Sequence, residues 1–361
     1  MLETYLDYNA TAPLRPEARD AMIAVLDAPA NPSSVHGFGQ QARLKVEDAR
    51  ARVAGLARAM PEELIFTSGG TEANAMALMR DWPQVFVGAT EHAAVLEAAP
   101  GAVQLKVDPE GRVDLISLEA ALADAPEGSL VSVMAANNET GVIQPLAEII
   151  AVARRHGAFV HSDAVQGFGK IPLDFARLGL DLMSLSAHKI GGPTGIGVLI
   201  QREGIAANPL SRGGGQERNR RPGTENVAGI VGFGAAADAA DPAGFAAHCQ
   251  PLRDHLEARI KAGLSDAVII AEAAPRLANT TCLALPGRGA ETQVMALDLA
   301  GIAVSAGAAC SSGKVRTSHV LEAMGAADLA GCAIRISSGW ATTADDIERL
   351  AEALINLYKH S

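Results

Sequence analysis

Cysteine and positive charge are scarce in this sequence. Four cysteines, at positions 249, 282, 310 and 332, are too few and too scattered for a disulfide framework, so we expect reduced cytosolic thiols. The formal net charge of -11 argues against a duplex-DNA partner, because phosphate binding needs a positive surface. No apolar stretch approaches the ~20 residues that a membrane span needs. Residues 1–7 carry acids where a signal peptide would carry lysine or arginine, so we expect a soluble, cytoplasmic protein with no nucleic-acid or membrane partner.

The composition is that of a globular chain with room for two domains. Of 361 residues, 48% are hydrophobic and 20% are charged, which is neither a disordered nor a fibrous composition. A chain of this length exceeds the size at which a single core stops growing. We predict a large domain over residues 15–250 and a small domain built from residues 1–14 and 251–361. The helix near residues 242–263 would be the hinge between them.

Short apolar runs alternate with helical patterns through most of the chain. This alternation predicts an α/β fold with a mainly parallel central sheet, helices on both faces, and catalytic groups at the strand ends. The last hundred residues mix strands and helices differently and predict a smaller α+β domain. The predicted strands cover residues 64–67, 84–88, 102–107, 130–135, 158–161, 182–185, 197–200, 267–271, 279–284, 302–305 and 332–337. The predicted helices cover residues 16–26, 40–57, 72–80, 92–98, 115–122, 145–156, 291–299, 318–324 and 344–358, and alanine-rich helices follow residue 226 to about residue 264, with a helix start at Pro242.

Lys189 stands between a predicted strand end and a glycine turn, where its side chain has little room to reach water. Most single lysines are only solvated charges, and Lys189 considered alone would fit that interpretation. Asp163 ends a different apolar run, and its presence favours a functional interpretation of Lys189 over a solvated charge. A lysine that forms a Schiff base, together with an aspartate that holds a pyridinium nitrogen, is the protein's part in pyridoxal-phosphate (PLP) chemistry.

Two glycine-containing turns have different interpretations. Residues 68–72, Ser-Gly-Gly-Thr-Glu, join a predicted strand to a predicted helix. Their backbone N–H groups and the Thr71 hydroxyl would meet an anion at the helix start, although many such turns are only helix caps. Residues 192–197 spell a dinucleotide-like glycine pattern, but they precede an apolar run instead of following one and opening a helix. We therefore reject a Rossmann interpretation.

Several polar side chains follow predicted strands. His92 could begin a surface helix or stack on a flat cofactor ring, and the asparagines at 137–138 could form a turn or bond a cofactor hydroxyl. His161 and Asp163 are spaced as a metal-binding pair, but we find no third and fourth ligand at credible spacing and predict no resident metal. The arginine- and glycine-rich residues 212–224 could be an exposed loop or a phosphate-binding segment.

Cys310 differs from the other three cysteines. The others lie in a predicted helix or in apolar strands and are most simply small buried hydrophobes. Cys310 lies in residues 305–314, ten positions without a bulky apolar side chain, which predicts a mobile loop and an exposed thiol. Nearby Lys314 and Arg316 would favour the thiolate.

These motifs together resemble the cysteine desulfurases of the nitrogen-fixation and iron–sulfur-cluster type, within the class V aminotransferases. The resemblance spans nearly the whole chain, and its specificity comes from the number and order of the matches. It is carried by residues 6–11 (LDYNAT), 67–72 (TSGGTE), 91–92 (EH), 137–139 (NNE), 161–166 (HSDAVQ), 186–189 (SAHK), 213–217 (GGGQE), 221–224 (RPGT), 309–312 (ACSS) and 334–337 (IRIS).

The resemblance implies a PLP-dependent transferase of fold type I that removes sulfur from L-cysteine, giving L-alanine and a persulfide on Cys310. Lys189 would form the Schiff base and move the Cα proton as general base, with Asp163 partnering the ring nitrogen and His92 stacked on the ring. Arg335 would clamp the substrate carboxylate, a bidentate task suited to guanidinium.

The resemblance also implies how the cofactor is held and which partners the chain has. Gln166 and Asn138 would bond the ring oxygen and hold substrate. The implied partners are a second copy of the chain in a homodimer and a sulfur-acceptor or iron–sulfur scaffold protein, and Cys310 could contact a nascent cluster transiently. The phosphate contacts would come from Gly70, Thr71, Ser186, His188 and, from the neighbouring subunit, Thr224.

The chain departs from the family pattern at several positions without losing a catalytic group. Gly70 stands where alanine is common, Thr194 where lysine is frequent, and Ala308-Ala309 where a serine often precedes the cysteine. One alternative is a relative that acts on selenocysteine or another β-substituted amino acid. Another is a non-catalytic sulfur-carrier scaffold on the same fold, which would be expected to lose Lys189 or Asp163.

Overall fold

Thirteen strands form three sheets in the computed structural model, which describes residues 4–29, 31–206, 209–307 and 317–358. Most strands are short, and several consist of two residues. The strands are β1 (Thr4–Tyr5), β2 (Leu64–Thr67), β3 (Val85–Gly88), β4 (Val103–Leu105), β5 (Leu130–Ser132), β6 (Phe159–Asp163), β7 (Leu182–Ser186), β8 (Gly197–Gln201), β9 (Val268–Ile269), β10 (Thr280–Ala284), β11 (Ile302–Ala303), β12 (Ser305–Ala306) and β13 (Ala333–Ser337).

The helices surround these sheets. Among the described residues, no helix combines the length and apolarity that a membrane span requires. The helices are α1 (Pro16–Leu26), α2 (Gly37–Ala57), α3 (Gly70–Leu78), α4 (Ala93–Leu96), α5 (Leu115–Leu122), α6 (Leu146–Arg155), α7 (Phe175–Leu178), α8 (Gln216–Asn219), α9 (Val227–Asp238), α10 (Pro242–Gly263), α11 (Ala290–Leu299), α12 (His319–Ala323) and α13 (Ala344–Tyr358).

The central sheet has seven strands in the order β2-β8-β7-β6-β5-β3-β4. The pairs from β7 through β4 are parallel, and β8 is antiparallel to both of its neighbours, β7 and β2. Strands β6, β7 and β8 are almost entirely buried, as expected for a sheet covered on both faces. The predicted α/β class with a mainly parallel sheet is confirmed.

A smaller antiparallel sheet, in the order β12-β13-β10-β9, packs under α10, α11 and α13. Leu256, Ile334, Leu350 and Leu354 belong to its core. Strand β1 pairs in parallel with β11, and Asp7 bridges to Ser337, the last residue of β13. The start of the chain is therefore attached to elements that come near its end. The boundaries predicted for the two domains stay a prediction.

Element types agree with the sequence prediction, whereas several boundaries do not. Helix α2 begins at Gly37 instead of residue 40, because the His36 side chain caps it by accepting a hydrogen bond from the Gly39 N–H. Helix α3 begins at Gly70 instead of residue 72, inside the predicted turn. The apolar run predicted as one strand over 302–305 forms two strands, β11 and β12, in different sheets. The predicted bounds of α1, α5 and α13 are confirmed.

An ion pair between Arg50 and Glu217 joins α2 to the short helix α8. Its N···O distances are 2.8 and 2.9 Å, and the side chains are only 6% and 3% exposed. Glu217 also accepts the Phe66 N–H from β2 at 3.0 Å. Glu217 and the two residues after it have φ of 47°, 58° and 64°, so they lie in the left-handed region that non-glycine residues rarely adopt. The ion pair thus holds a costly backbone conformation in place.

We expect Arg50→Met to lower the free energy of unfolding by about 3–5 kcal/mol, because it leaves the Glu217 carboxylate buried without its cation. Arg52→Met on the same helix is the matched control, since Arg52 pairs with Asp48 and Asp238 at the surface and should cost less than about 1 kcal/mol. Urea unfolding of both variants measures the difference. Equal losses in the two variants would contradict the role of the buried pair.

Candidate functional site

The site lies where three strands of the central sheet end together. Strands β6 and β7 are parallel, with Asp163 opposite Ser184. Since β8 is antiparallel to both β7 and β2, strand β2 runs in the same direction as β7. The residues after β2, β6 and β7 therefore meet at one edge of the sheet, the usual place for a site in such folds.

Lys189 ends a 3-10 turn, Ala187–Lys189, directly after β7. Its Nζ donates to the backbone carbonyls of Asn9 at 2.6 Å and Ala10 at 2.8 Å. Burial, with the positive charge of Arg335 as a further cause, lowers the pKa of Lys189 to about 8, whereas the charges of Asp7 and Asp163 act in the opposite direction. The site thus holds an amine that loses its proton near neutral pH, as a nucleophile or base requires.

Asp163 is buried at the end of β6. One carboxylate oxygen accepts the Val165 N–H at 2.9 Å, and the other accepts an N–H of the Asn74 side chain at 2.7 Å. Asn74 lies on α3 and was not predicted from the sequence. Its position one helical turn after Gly70, facing the sheet, is the signal that could have identified it.

The N-terminal segment contributes a second residue that was not predicted, Asn9. Its carbonyl accepts from Lys189 Nζ and from Gln166 Nε2, the latter at 2.8 Å. Its side-chain oxygen accepts from Lys170 at 2.9 Å, and its own N–H donates to the Ser337 hydroxyl at 2.9 Å. One asparagine therefore links the Lys189 loop, the turn after β6 and the small sheet. The motif at residues 6–11 was recognised in the sequence, but no role was assigned to Asn9.

His92 caps the short helix α4, with Nδ1 accepting the Ala94 N–H at 3.1 Å. Burial lowers the pKa of His92, and the charges of Asp163 and Lys189 act on that pKa in opposite directions. The adjacent Glu91 is fully buried, and burial raises its pKa well above the ordinary value. His92 is thus a helix-start residue whose ring feels the charges of both Asp163 and Lys189.

Gly70 and Ser186 lie against each other at the start of α3. A Cβ on Gly70 would stand 2.8 Å from Val165 Cγ2 and 3.6 Å from Ser186 Cβ, so the close approach favours glycine here. The exposed Thr71 follows at the same helix start. These three residues give a helix N-terminus able to receive an anion.

His188 and the loop behind the turn complete this side of the site. His188 Nδ1 lies 3.2 Å from the Thr11 hydroxyl, and burial lowers the pKa of His188 to about 4. Glu72 accepts from the Ser68 N–H and from Arg221, so the turn after β2 is tied to the loop that carries Thr224. Thr224 is exposed, and its predicted role in a neighbouring subunit stays a prediction.

Arg335 lies in β13 and is 5% exposed. Its guanidinium donates to Asp7 at 2.7 Å and to the Asn138 backbone carbonyl at 3.0 Å. Its Nε is buried without a hydrogen-bond partner among the described residues. A buried N–H of this kind costs free energy unless a ligand satisfies it, so Arg335 is suited to an incoming carboxylate.

His161, the candidate metal ligand, lies instead between two serines. Its ring nitrogens are 2.8 Å from the Ser132 hydroxyl and 2.9 Å from the Ser184 hydroxyl, and burial lowers the pKa of His161 to about 3. Over the described ranges, no group of three or more His, Cys, Asp or Glu side chains is arranged to hold a metal ion. His161 therefore crosslinks three neighbouring strands.

Three of the four thiols are buried, as the sequence predicts. Cys249, Cys282 and Cys332 are buried, and burial raises the pKa of Cys249 to about 11 and of Cys282 to about 12. These thiols are poor nucleophiles. Cys310, with Lys314 and Arg316, lies outside the described residues.

Lys189 should make the stability of the ligand-free chain depend on pH. Its folded-state pKa of about 8 is below the ~10.4 of an unfolded lysine, so between these values the unfolded chain binds more protons and stability rises with pH. Relative to Lys189→Met, we expect the wild type to gain about 2 kcal/mol in unfolding free energy from pH 7.5 to 9.5. Urea unfolding measures this, with Lys106→Met as the exposed control. If the difference in unfolding free energy between wild type and Lys189→Met does not change with pH, the lowered pKa of Lys189 is contradicted.

Comparison with known proteins identifies the family. The family described as "Aminotransferase class-V" matches residues 4–350. A protein from Cereibacter sphaeroides named cysteine desulfurase is 43% identical, over 98% of this chain and 95% of its own length.

Two solved structures extend the comparison. A NifS-like protein from Rickettsia africae is 36% identical with a TM-score of 0.92, covering 99% of each chain. A structure titled "SspA in complex with cysteine" is 27% identical with a TM-score of 0.80, covering 92% of this chain and 98% of that one. Matches of this identity and coverage show that the chain belongs to the cysteine desulfurases of the class V aminotransferase family.

Proposed function

We propose that this chain is a PLP-dependent cysteine desulfurase that converts L-cysteine to L-alanine and retains the sulfur as a persulfide on Cys310. The observation that carries the proposal is Lys189, a buried amine whose pKa is lowered to about 8 and which follows β7 at the sheet edge where β6 ends with the buried Asp163. Similarity to proteins named cysteine desulfurase over nearly the full length supports the reaction type. The structure of a relative in complex with cysteine supports the substrate.

The residues at the sheet edge fit PLP. Gly70 and Thr71 begin α3, whose N-terminal N–H groups suit a phosphate, and Asp163 offers a carboxylate that Asn74 holds at 2.7 Å. When bound, PLP supplies an electron sink for the carbon atoms of an amino-acid substrate. The residues proposed to hold it are Gly70, Thr71, His92, Asn138, Asp163, Gln166, Ser186, His188, Lys189 and, from a neighbouring subunit, Thr224.

Lys189 has two tasks in this proposal. It anchors the cofactor in the resting enzyme, and its free amine moves the Cα proton of the substrate. A lysine with an ordinary pKa would remain protonated at neutral pH and could do neither efficiently. The carbonyls of Asn9 and Ala10 provide the place where its ammonium rests after it accepts a proton.

Arg335 is proposed to hold the substrate carboxylate. Two of its nitrogens are held by Asp7 and the Asn138 carbonyl, so the guanidinium is already oriented, and its buried Nε remains for the ligand. An oriented arginine loses little entropy on binding. Asn138, whose backbone supports Arg335, is proposed to contact substrate as well.

Sulfur transfer is proposed to occur at Cys310. Its thiolate attacks the substrate sulfur, an S–S bond forms as the Cβ–S bond breaks, and the electron pair of the broken bond stays on carbon, which is then protonated to give alanine. The three buried thiols cannot take this role, since burial raises their pKa values and so disfavours the thiolate. We also propose a cytoplasmic homodimer that passes the sulfur to an acceptor or iron–sulfur scaffold protein.

Lys189→Ala should abolish the visible absorbance that the wild type acquires with PLP, because the amine that binds the cofactor covalently is removed. Absorbance spectra of both proteins after incubation with PLP and desalting test this. Lys106→Met, at an exposed position, is the control and should keep the visible band. An unchanged visible band in Lys189→Ala would refute the assignment.

Cys310→Ser should bind PLP and cysteine normally but form no persulfide, with alanine production reduced by at least about 10²-fold, since no thiolate accepts the sulfur. Mass spectrometry of the protein after addition of cysteine, with an alanine assay, measures both quantities. Cys249→Ser is the control and should keep the persulfide on Cys310. Normal alanine release from selenocysteine but not from cysteine by Cys310→Ser would instead favour a selenocysteine lyase.

A further inference from the structure

Lys170 is a buried lysine for which the proposed function has no role. It lies in the turn after β6 and is 4% exposed. Its Nζ donates to the side-chain oxygen of Asn9 at 2.9 Å and to Gln166 Oε1 at 2.8 Å. Both acceptors are neutral amide oxygens, and no carboxylate pairs with Lys170 among the ion pairs of the described residues. Burying a lysine without a carboxylate partner costs folding free energy, so the hydrogen bonds of Lys170 need an explanation.

The hydrogen bonds of Lys170 fix the side chain of Gln166. A carboxamide has an oxygen that accepts at one end and a nitrogen that donates at the other. Gln166 Oε1 accepts from Lys170, and Nε2 donates to the Asn9 carbonyl at 2.8 Å. The same carbonyl accepts from Lys189 Nζ at 2.6 Å. The donor end of Gln166 is thereby held beside Lys189.

Gln166 Nε2 carries two N–H groups. In the described part of the chain, one of them donates to the Asn9 carbonyl. The other remains for a ligand next to Lys189. Without Lys170, Gln166 Oε1 and the Asn9 side chain would each lose a buried donor, and the carboxamide would be held at one end only.

We propose that Lys170 is a positioning residue that holds the Gln166 carboxamide with its N–H toward the ring oxygen of PLP and so lowers the proton affinity of the nitrogen that Lys189 contributes. This inference rests on the proposed function, because it assigns the ligand of Gln166 as PLP. A hydrogen bond to an anionic oxygen stabilises the anion, and the adjacent nitrogen then holds its proton less tightly.

Lys170 is proposed to act on the Lys189 nitrogen through its hydrogen bond to Gln166 and not through a positive charge of its own. Burial lowers the pKa of Lys170 well below its ordinary value, with the positive charges of Lys189 and Arg335 as further causes, so the ammonium form is disfavoured. A purely structural lysine would affect stability without moving the titration of the cofactor-bound enzyme. The titratable and charged groups around Lys170 are Lys189, His188, Arg335, Cys249, Tyr8 and Arg15.

The test is a spectrophotometric pH titration of the PLP-loaded wild type and its variants. The variants are Lys170→Met, Gln166→Leu, the double variant and, as the surface control, Lys106→Met. We expect the pH midpoint of the visible band to rise by about one pH unit in Lys170→Met, the size of one lost hydrogen bond to a charged group. Gln166→Leu should give a rise of similar size, and the double variant no further rise.

A midpoint in Lys170→Met equal to that of wild type would overturn the proposal, as would additive shifts in the double variant. If Lys170→Met is not soluble, Gln166→Leu is compared with Lys170→Leu/Gln166→Leu, in which both ends of the contact are apolar. Equal midpoints support the proposal, and a further shift overturns it. Absence of any visible band in wild type with PLP would instead refute the proposed function, so the two failures are distinguishable.

Discussion

The contact between the Lys189 ammonium and the carbonyls of Asn9 and Ala10 underlies the arrangement of the site. These carbonyls belong to a segment whose strand β1 pairs with β11 and whose Asp7 bridges to Ser337. The lysine belongs to the turn after β7 of the central sheet. A single amine therefore spans the junction between the large sheet and the small one. Because a buried amine has few acceptable environments, this contact restricts how the two sheets can be placed relative to each other.

Basic side chains cluster at this junction, and burial opposes their positive charge. Lys170, Lys189 and His188 all have lowered pKa values, and each is lowered mainly by burial. Arg335 is paired with Asp7 at 2.7 Å. The site is consequently rich in groups that give up protons easily, and a phosphate-bearing cofactor or a substrate carboxylate would bring the negative charge that such an environment favours.

The sequence was informative about groups that stand at strand ends. Asp163 ends β6 and Lys189 follows β7, and the alternation of elements was enough to bring both to one sheet edge. Asn74, Asn9 and Lys170 were not predicted, since their importance comes from contacts with residues 89, 180 and 161 positions away. Periodicity and turn chemistry carry no information about such separations. The family motifs marked the segment of Asn9 but could not say that its backbone carbonyl receives the lysine.

The attachment of the N-terminal segment to the small sheet has a consequence for biosynthesis. The Asn9 N–H donates to Ser337, 328 residues later in the chain. At a synthesis rate of about 5–20 residues per second, the interval between these two residues is on the order of 20–70 seconds. Throughout that time the segment lacks its contacts with β13, although Lys189 and β11, which also bind it, are synthesised earlier. Completion of the junction is therefore a late, long-range event that must wait for release of β13 from the ribosome, and a nascent chain is catalytically incomplete until then.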